Sequence, residues 1–274
     1  MKKSTLYISD LDGTLLNTYG KLSDKTKEIL NRLMGHGLLF SVATARSAAT
    51  CQKLLRGLDF SLPLILMNGV FLYDMHTGKY LYSEKIPEPA TKEILSVLKR
   101  YGKAPFQYVL SADKELCVGF TCLELEVQRK FYRERAGLAY KSFGQKAAYH
   151  NGGEAVYYAM IDRYEALLPV RQELEKIEDV KCEFYKDNYS EYWFLETFSA
   201  MASKSRGVYR LKELAQAEKT IVFGDNMNDL DMFRCADEAY AVENAVRDVK
   251  DAATGMIGAN DKDGVALFLE NTYF

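Results

Sequence analysis

The sequence has little of what builds metal or disulfide scaffolds. Only three histidines and five cysteines occur in 274 residues. Cys51, Cys117, Cys122, Cys182 and Cys235 are odd in number, scattered, and form no Cys-x-x-Cys; His36, His76 and His150 stand far apart. Neither a zinc site nor a disulfide framework is indicated, which leaves reduced, partly buried thiols in the cytoplasm. No apolar run approaches the roughly 20 residues that a membrane helix needs, so no membrane partner is expected. Met1-Lys2-Lys3-Ser4 leads straight into a short strand-like run, without the apolar core and cleavage site of a signal peptide. No block of Lys and Arg stands out, and 36 basic side chains face 38 acidic ones for a net charge of -2, which argues against nucleic acid. No internal repeat or low-complexity segment is visible. What remains is ordinary for a soluble globular protein, with 48% hydrophobic and 27% charged residues.

The pattern along the chain divides in two. Leu6 to Ile8 is a short apolar run. Ser23 can cap a helix carrying Ile29, Leu30, Leu33 and Met34 on one stripe, closed by Gly35 and Gly37. Leu38–Ala43 reads as a second buried strand, a helix is expected over about 48–58, and Leu64–Met67 reads as a third strand ending at Asn68-Gly69. Short continuous apolar strands alternating with helices indicate a parallel sheet covered on both faces. Phe71–Tyr73 and Tyr80–Tyr82 flank a turn and read as a hairpin.

From about 85 to 190 the texture changes. Pro87 and Pro89 punctuate it. A helix near 89–100, strands at Phe106–Leu110 and Leu116–Phe120, a charged helix around 123–136, the loop Asn151-Gly152-Gly153, a strand Ala155–Ile161, a helix near 163–176 and a strand Val180–Tyr185 follow. The apolar, aromatic run 192–196 is read as the return of the first pattern. Ser203 then caps a helix to about Leu214, Thr220–Phe223 and Ala239–Val242 are strands, and Gly264 opens a last helix. The expected class is α/β: a doubly wound, mostly parallel core over 1–84 and 191–274, with an inserted α+β domain over 85–190.

Four polar motifs fall at element ends. The first is Asp10-Leu11-Asp12-Gly13-Thr14. In extended chain, residues i and i+2 point the same way, so Asp10 and Asp12 are expected to project together, and two such close carboxylates call for a cation. An acidic Asp-Gly turn is the plain alternative. The others are Thr44-Ala45-Arg46, Lys204 in Ser203-Lys204-Ser205-Arg206-Gly207, and Gly224-Asp225-Asn226-Met227-Asn228-Asp229. Singly, Thr44 reads as a helix cap, Lys204 as a solvated lysine, and Asp225–Asp229 as an acidic loop capping the next helix. The acidic loop lacks the ligand pattern of an EF-hand. Jointly, they place Asp10, Asp12, Asp225 and Asp229 where open parallel sheets bind ligands. Mg²⁺ bridges carboxylate and phosphate, Lys204 supplies a point cation, and the Thr44 hydroxyl can hold phosphate oxygens. One carboxylate can attack phosphorus and a second can move the proton.

These motifs, in this order, resemble those of the haloacid dehalogenase-like phosphatases. The inserted domain, Asn68-Gly69 and Asp263-Gly264-Val265-Ala266 are similar to the Cof-type branch. The second motif departs from the usual Thr-Gly-Arg by Ala45, which a turn of positive φ would strain. The resemblance implies that Asp10 is the nucleophile and a Mg²⁺ ligand. It makes Asp12 the general acid/base, with its backbone carbonyl on the metal, and Asp225 a further metal ligand. Thr44 and Lys204 hold the phosphoryl group, with Arg46 a contact to phosphate or leaving group, and Asn228 and Asp229 position metal waters and Lys204. The expected reaction is Mg²⁺-dependent hydrolysis of a small phosphorylated metabolite, a sugar phosphate foremost, with the inserted domain as a cap that selects the substrate. A phosphosugar mutase using the same aspartate, and a catalytically silent metabolite binder on the same fold, are the alternatives.

Overall fold

The computed structural model describes residues 4–138, 142–145, 153–187 and 190–273. In chain order its elements are β1 (Thr5–Ser9), α1 (Asp24–Gly35), β2 (Leu39–Val42), α2 (Ala48–Leu54), β3 (Leu64–Leu66), β4 (Phe71–Asp74) and β5 (Lys79–Ser83). Then come α3 (Glu88–Arg100), β6 (Phe106–Leu110), β7 (Leu116–Phe120), α4 (Glu126–Arg135), β8 (Ser142–Gln145), β9 (Glu154–Asp162), α5 (Tyr164–Leu174), β10 (Val180–Lys186) and β11 (Trp193–Ser199). The chain closes with α6 (Lys204–Leu214), β12 (Lys219–Gly224), α7 (Leu230–Cys235), β13 (Glu238–Val242), α8 (Arg247–Ala252), β14 (Gly255–Ile257) and α9 (Gly264–Thr272). The fold is α/β with a mostly parallel sheet and further sheets. It separates into two compact units, 1–82 with 203–274, and 83–202. Among the described residues, no helix is long and apolar enough to cross a membrane.

The first unit is built on a five-stranded parallel sheet in the order β14-β13-β12-β1-β2. Its strands bury both faces: Leu6, Ile8, Phe40, Val42, Val222, Phe223, Ala241 and Val242 are all at 0% exposure. This is why they read as apolar runs rather than alternations. Ser23 caps α1 as its position suggests, its hydroxyl accepting from the Thr26 N–H at 2.9 Å. Ile29, Leu30 and Leu33 are the buried stripe of that helix.

β3 departs from the expectation of a third parallel core strand. Its partner through the ladder is β4, antiparallel, in a small sheet β3-β4-β5. Only one bridge, Ala43 with Ile65, continues the parallel order beyond β2. The helix expected over 48–58 also ends early, at Leu54, and β14 and α8 were not legible as elements.

The second unit carries a six-stranded sheet in the order β10-β11-β9-β6-β7-β8, antiparallel except for the parallel pair of β7 with β8. On one face, Ile94 and Leu98 of α3 and Leu167, Val170 and Leu174 of α5 pack with Tyr158, Met160 and Leu195. The segment 192–196 was expected to reopen the core. Instead β11 lies between β10 and β9, and the division falls after Ala202. An apolar, aromatic strand looks the same in either sheet; only its pairing assigns it. Asn151 and Gly152 of the expected loop, and His150, lie outside the described residues.

On the other face of β11, Glu196 is buried opposite Glu183 of β10. Burial pushes its carboxyl up to about 7, and Glu183 adds to this, against the lowering effect of hydrogen bonds from the Tyr157 and Tyr185 hydroxyls and of Arg135. The Tyr157 hydroxyl donates to Oε2 at 2.6 Å. The folded chain therefore keeps the proton to higher pH than the unfolded chain. The stability so gained is complete below about pH 4.3, the ordinary glutamate value, and is lost as pH rises through the folded value. Between pH 5 and pH 8 the wild type is expected to lose about 2–3 kcal/mol more stability than Glu196→Gln in urea unfolding. Equal losses in the two proteins would mean that this carboxyl is ionised throughout.

Candidate active site

β1 runs between β2 and β12, so the chain leaves it toward opposite sides of the sheet. This is the switch point at which open α/β sheets leave a crevice beyond their carboxyl ends. Asp10 follows β1 directly, its N–H donating to the Phe223 carbonyl at 2.9 Å. Thr44 follows β2, and Asp225 follows β12. Three distant parts of the sequence thus meet by topology alone.

The side chain that ties them is Lys204. It is 2% exposed, the reverse of a solvated lysine. Its Nζ donates to Asp10 Oδ1 at 2.6 Å and to Asp229 Oδ1 at 2.7 Å. Burial alone would lower this ammonium, but the two carboxylates outweigh it and raise it above its ordinary range. Asp229, at 0% exposure, uses its other oxygen to accept from the N–H groups of Asp225 and Asn226, at 2.9 and 3.1 Å. Its carboxylate therefore folds back on its own loop and makes no side-chain cap to α7.

Negative charge exceeds positive here. Asp10, Asp225 and Asp229 each present an oxygen within 4.8 Å of the others. Burial raises the Asp10 carboxyl well above the carboxylate range, with Asp229, Asp225 and Asp12 adding to it against the pull of Lys204. Burial and then Asp229 push Asp225 up to about 7. One lysine does not satisfy three carboxylates. Hard oxygen donors with a surplus of negative charge suit a hard divalent cation, and the donor set fits such an ion.

The backbone around this cluster is unusually close. Gly13 has φ +82°, and a Cβ on it would overlap the Asp225 carboxylate. A Cβ on Gly224 would collide with Asp229. Thr14, 1% exposed, donates its hydroxyl to Asp225 Oδ1 at 2.9 Å. Asn244 Nδ2 donates to the Gly13 carbonyl at 2.7 Å, and Asn260 Nδ2 donates to the Leu16 carbonyl at 2.8 Å. Thr14, Asn244 and Asn260 were missed as supports. Thr14 was legible as part of the first motif, whereas the two asparagines carry no local signal.

Asn68-Gly69 proves to be a brace for two motifs. The Asn68 N–H donates to the Thr44 carbonyl at 3.0 Å, and the Met67 N–H to the Arg46 carbonyl at 3.1 Å. Gly69, at φ +90°, lies so close to Ser203 that a Cβ would overlap its carbonyl. That contact seats the start of α6, where Ser203 accepts from the Arg206 N–H and Lys204 is the next residue.

Asp10 and Asp12 do not project together. β1 ends at Ser9, and the chain turns at Leu11. Asp10 goes inward to Lys204, while the Asp12 side chain, half exposed, meets Arg46. The Thr44 hydroxyl accepts from the Arg46 N–H at 3.2 Å. Ala45 is not among the positive-φ residues of the described chain, so alanine there strains nothing. Asn228 lies exposed on the short turn Met227–Asp229. Among the described residues, no disulfide joins the five cysteines.

A parallel sheet with an acid cluster and a buried lysine at its carboxyl edge is the frame of a known hydrolase class. A family profile for haloacid dehalogenase-like hydrolases matches residues 7–269, and the chain belongs to this family. It is 28% identical over 289 aligned positions, covering 95% of both chains, to the 5-amino-6-(5-phospho-D-ribitylamino)uracil phosphatase YwtE of Bacillus subtilis. It is 26% identical over 273 positions, again 95% of both chains, to the pyridoxal phosphate phosphatase YbhA of Escherichia coli. The X-ray structure of TM0651 from Thermotoga maritima shares the fold with a TM-score of 0.76 at 26% identity, over 98% of this chain and 97% of that one. YwtE and YbhA are thus named as phosphatases of small phosphorylated metabolites.

Removing the central cation should unbalance the cluster. Lys204→Met is expected to destabilise the protein by about 3–5 kcal/mol in denaturant unfolding, the cost of stranding buried partners. A loss below about 1 kcal/mol would place this pair with weak surface pairs.

Proposed function

We propose that the protein is a Mg²⁺-dependent phosphomonoester hydrolase that works through an aspartyl-phosphate on Asp10. The observation that carries this is the buried Lys204 ammonium bonded to Asp10 and Asp229, with Asp225 beside them and charge left to neutralise. Asp229 is committed to Lys204 and to two backbone N–H groups, so Asp10 and Asp225, with the Asp12 main-chain carbonyl, would hold the ion. When bound, Mg²⁺ neutralises charge between carboxylate and phosphate and polarises the phosphoryl oxygens.

The remaining roles belong to the chain. An Asp10 carboxylate oxygen attacks phosphorus as the bond from phosphorus to the ester oxygen breaks, and Asp12 in its acid form gives that oxygen a proton. Water then attacks the aspartyl-phosphate, Asp12 takes its proton, and phosphate leaves with Asp10 restored. Lys204 balances charge on Asp10 and the phosphoryl group, and the Thr44 hydroxyl offers a further donor. Asn228 is read as a support for metal waters.

The substrate is read as a small phosphorylated metabolite, in keeping with the names of YwtE and YbhA, and a sugar phosphate foremost by the Cof-type motifs. Residues 83–202 are read as the cap that selects the leaving group. The protein is taken to act in the cytoplasm.

Asp10→Asn is expected to lower phosphate release by more than about a hundredfold while leaving the thermal transition in place, because loss of a covalent nucleophile typically costs several orders of magnitude. Retained turnover would remove Asp10 as nucleophile. EDTA should stop phosphate release from a phosphometabolite panel, and added Mg²⁺ should restore it; activity indifferent to the chelator would remove the metal from the scheme.

A further inference from the structure

Both oxygens of the Asp12 carboxylate are held by one guanidinium. Arg46 Nε donates to Oδ2 at 2.7 Å and Nη2 donates to Oδ1 at 2.6 Å. This is a bidentate fork, the most directional form of ion pair between side chains. A carboxylate gripped in this way has a lone pair of each oxygen turned to the guanidinium, so the fork competes with proton transfer at both oxygens. Yet the pair lies at the surface, with side chains 32% and 50% exposed, where ion pairs contribute about 0–1 kcal/mol. It is oriented firmly and broken cheaply.

The two halves of Arg46 are held differently. Its backbone is fixed, with the N–H on the Thr44 hydroxyl and the carbonyl accepting from Met67. Its side chain reaches across to the other loop. Lys204, the cation placed among the acids, is buried between Asp10 and Asp229 and cannot be redirected without stranding them. Arg46 is therefore a motif cation that can change partner. A phosphate dianion presents more charge and more acceptor oxygens than one carboxylate, and guanidinium binds both in the same forked way.

We infer that Asp12 and the phosphoryl group compete for Arg46. The fork parks Asp12 whenever no phosphate holds the guanidinium, and a phosphate that captures Arg46 releases Asp12 for proton transfer. The inference rests on the phosphatase reading above and adds to it a positioning role for Arg46, exerted through Asp12. Released as a carboxylate, Asp12 takes up a proton from solvent water and passes it to the ester oxygen as the bond from that oxygen to phosphorus breaks and the bond from Asp10 to phosphorus forms. As carboxylate it then removes the proton from the attacking water. Proton transfer is thereby tied to the charge of the group being transferred.

The test is a double-mutant cycle on inorganic phosphate binding, read by calorimetry at constant saturating Mg²⁺ with wild type, Asp12→Asn, Arg46→Gln and the double variant. Asp12→Asn should tighten phosphate binding about fivefold, the equilibrium value of an exposed fork worth roughly 1 kcal/mol. In the Arg46→Gln background the same change should give less than about twofold, because there is no guanidinium left to release. Arg46→Lys, which keeps the charge without the fork, should give an intermediate gain and carries the cycle if Arg46→Gln does not fold. Equal gains in both backgrounds would show Asp12 acting only as a nearby like charge and would overturn the competition, as would Asp12→Asn protein that binds no phosphate at millimolar concentration. Phosphate release by the wild type is read separately: its absence defeats the phosphatase reading, whereas additivity with release intact defeats the competition alone.

Discussion

The site depends on one buried ammonium. Lys204 joins the end of β1 to the loop after β12 through Asp10 and Asp229, from a third segment that begins α6. Taking three charged groups out of water costs several kcal/mol for each, and only short, well-aimed contacts recover that cost. The ammonium is therefore held above its ordinary range while the carboxyl of Asp10 is driven up. The arrangement remains short of positive charge, and that deficit suits a divalent cation.

The crowding of charge is made by backbone. Gly13, Gly224 and Gly69 stand where a Cβ would overlap Asp225, Asp229 and Ser203 respectively. Carboxylates repel at such distances, and flexible loops would let them drift apart. Here the loops are pinned by Thr14 on Asp225, by Asn244 on Gly13, and by Asn68 on Thr44. The sheet supplies only the starting points; hydrogen bonds between loops set the final approach.

The sequence made the ends of the strands legible because each strand is buried on both faces and stops at a polar motif. Asp10, Asp225 and Lys204 were found this way, since their residue types and order constrain the chemistry together. Three things were not legible. The pairing of β11 depends on which strands flank it, and an aromatic run such as 192–196 is equally suited to either sheet. Asn244 and Asn260 act at long range on the first loop, without local pattern. The divergence of Asp10 from Asp12 followed from a strand that ends at Ser9, so that residues 10–12 are not the extended chain the i, i+2 rule assumes.

That divergence separates two carboxylates by environment. Asp10 is buried and bound to a lysine that cannot leave; Asp12 is half exposed and bound to an arginine that can. Breaking a contact of the first kind costs about 3–5 kcal/mol, and breaking one of the second, exposed kind costs much less. A group that forms and breaks a bond to phosphorus needs a fixed origin for its attack, because small displacements there are costly in rate. A group that carries a proton both ways must change its contacts between the two half-reactions. The energetic difference between the two ion pairs suits the roles proposed above, with rigidity at Asp10 and motion at Asp12.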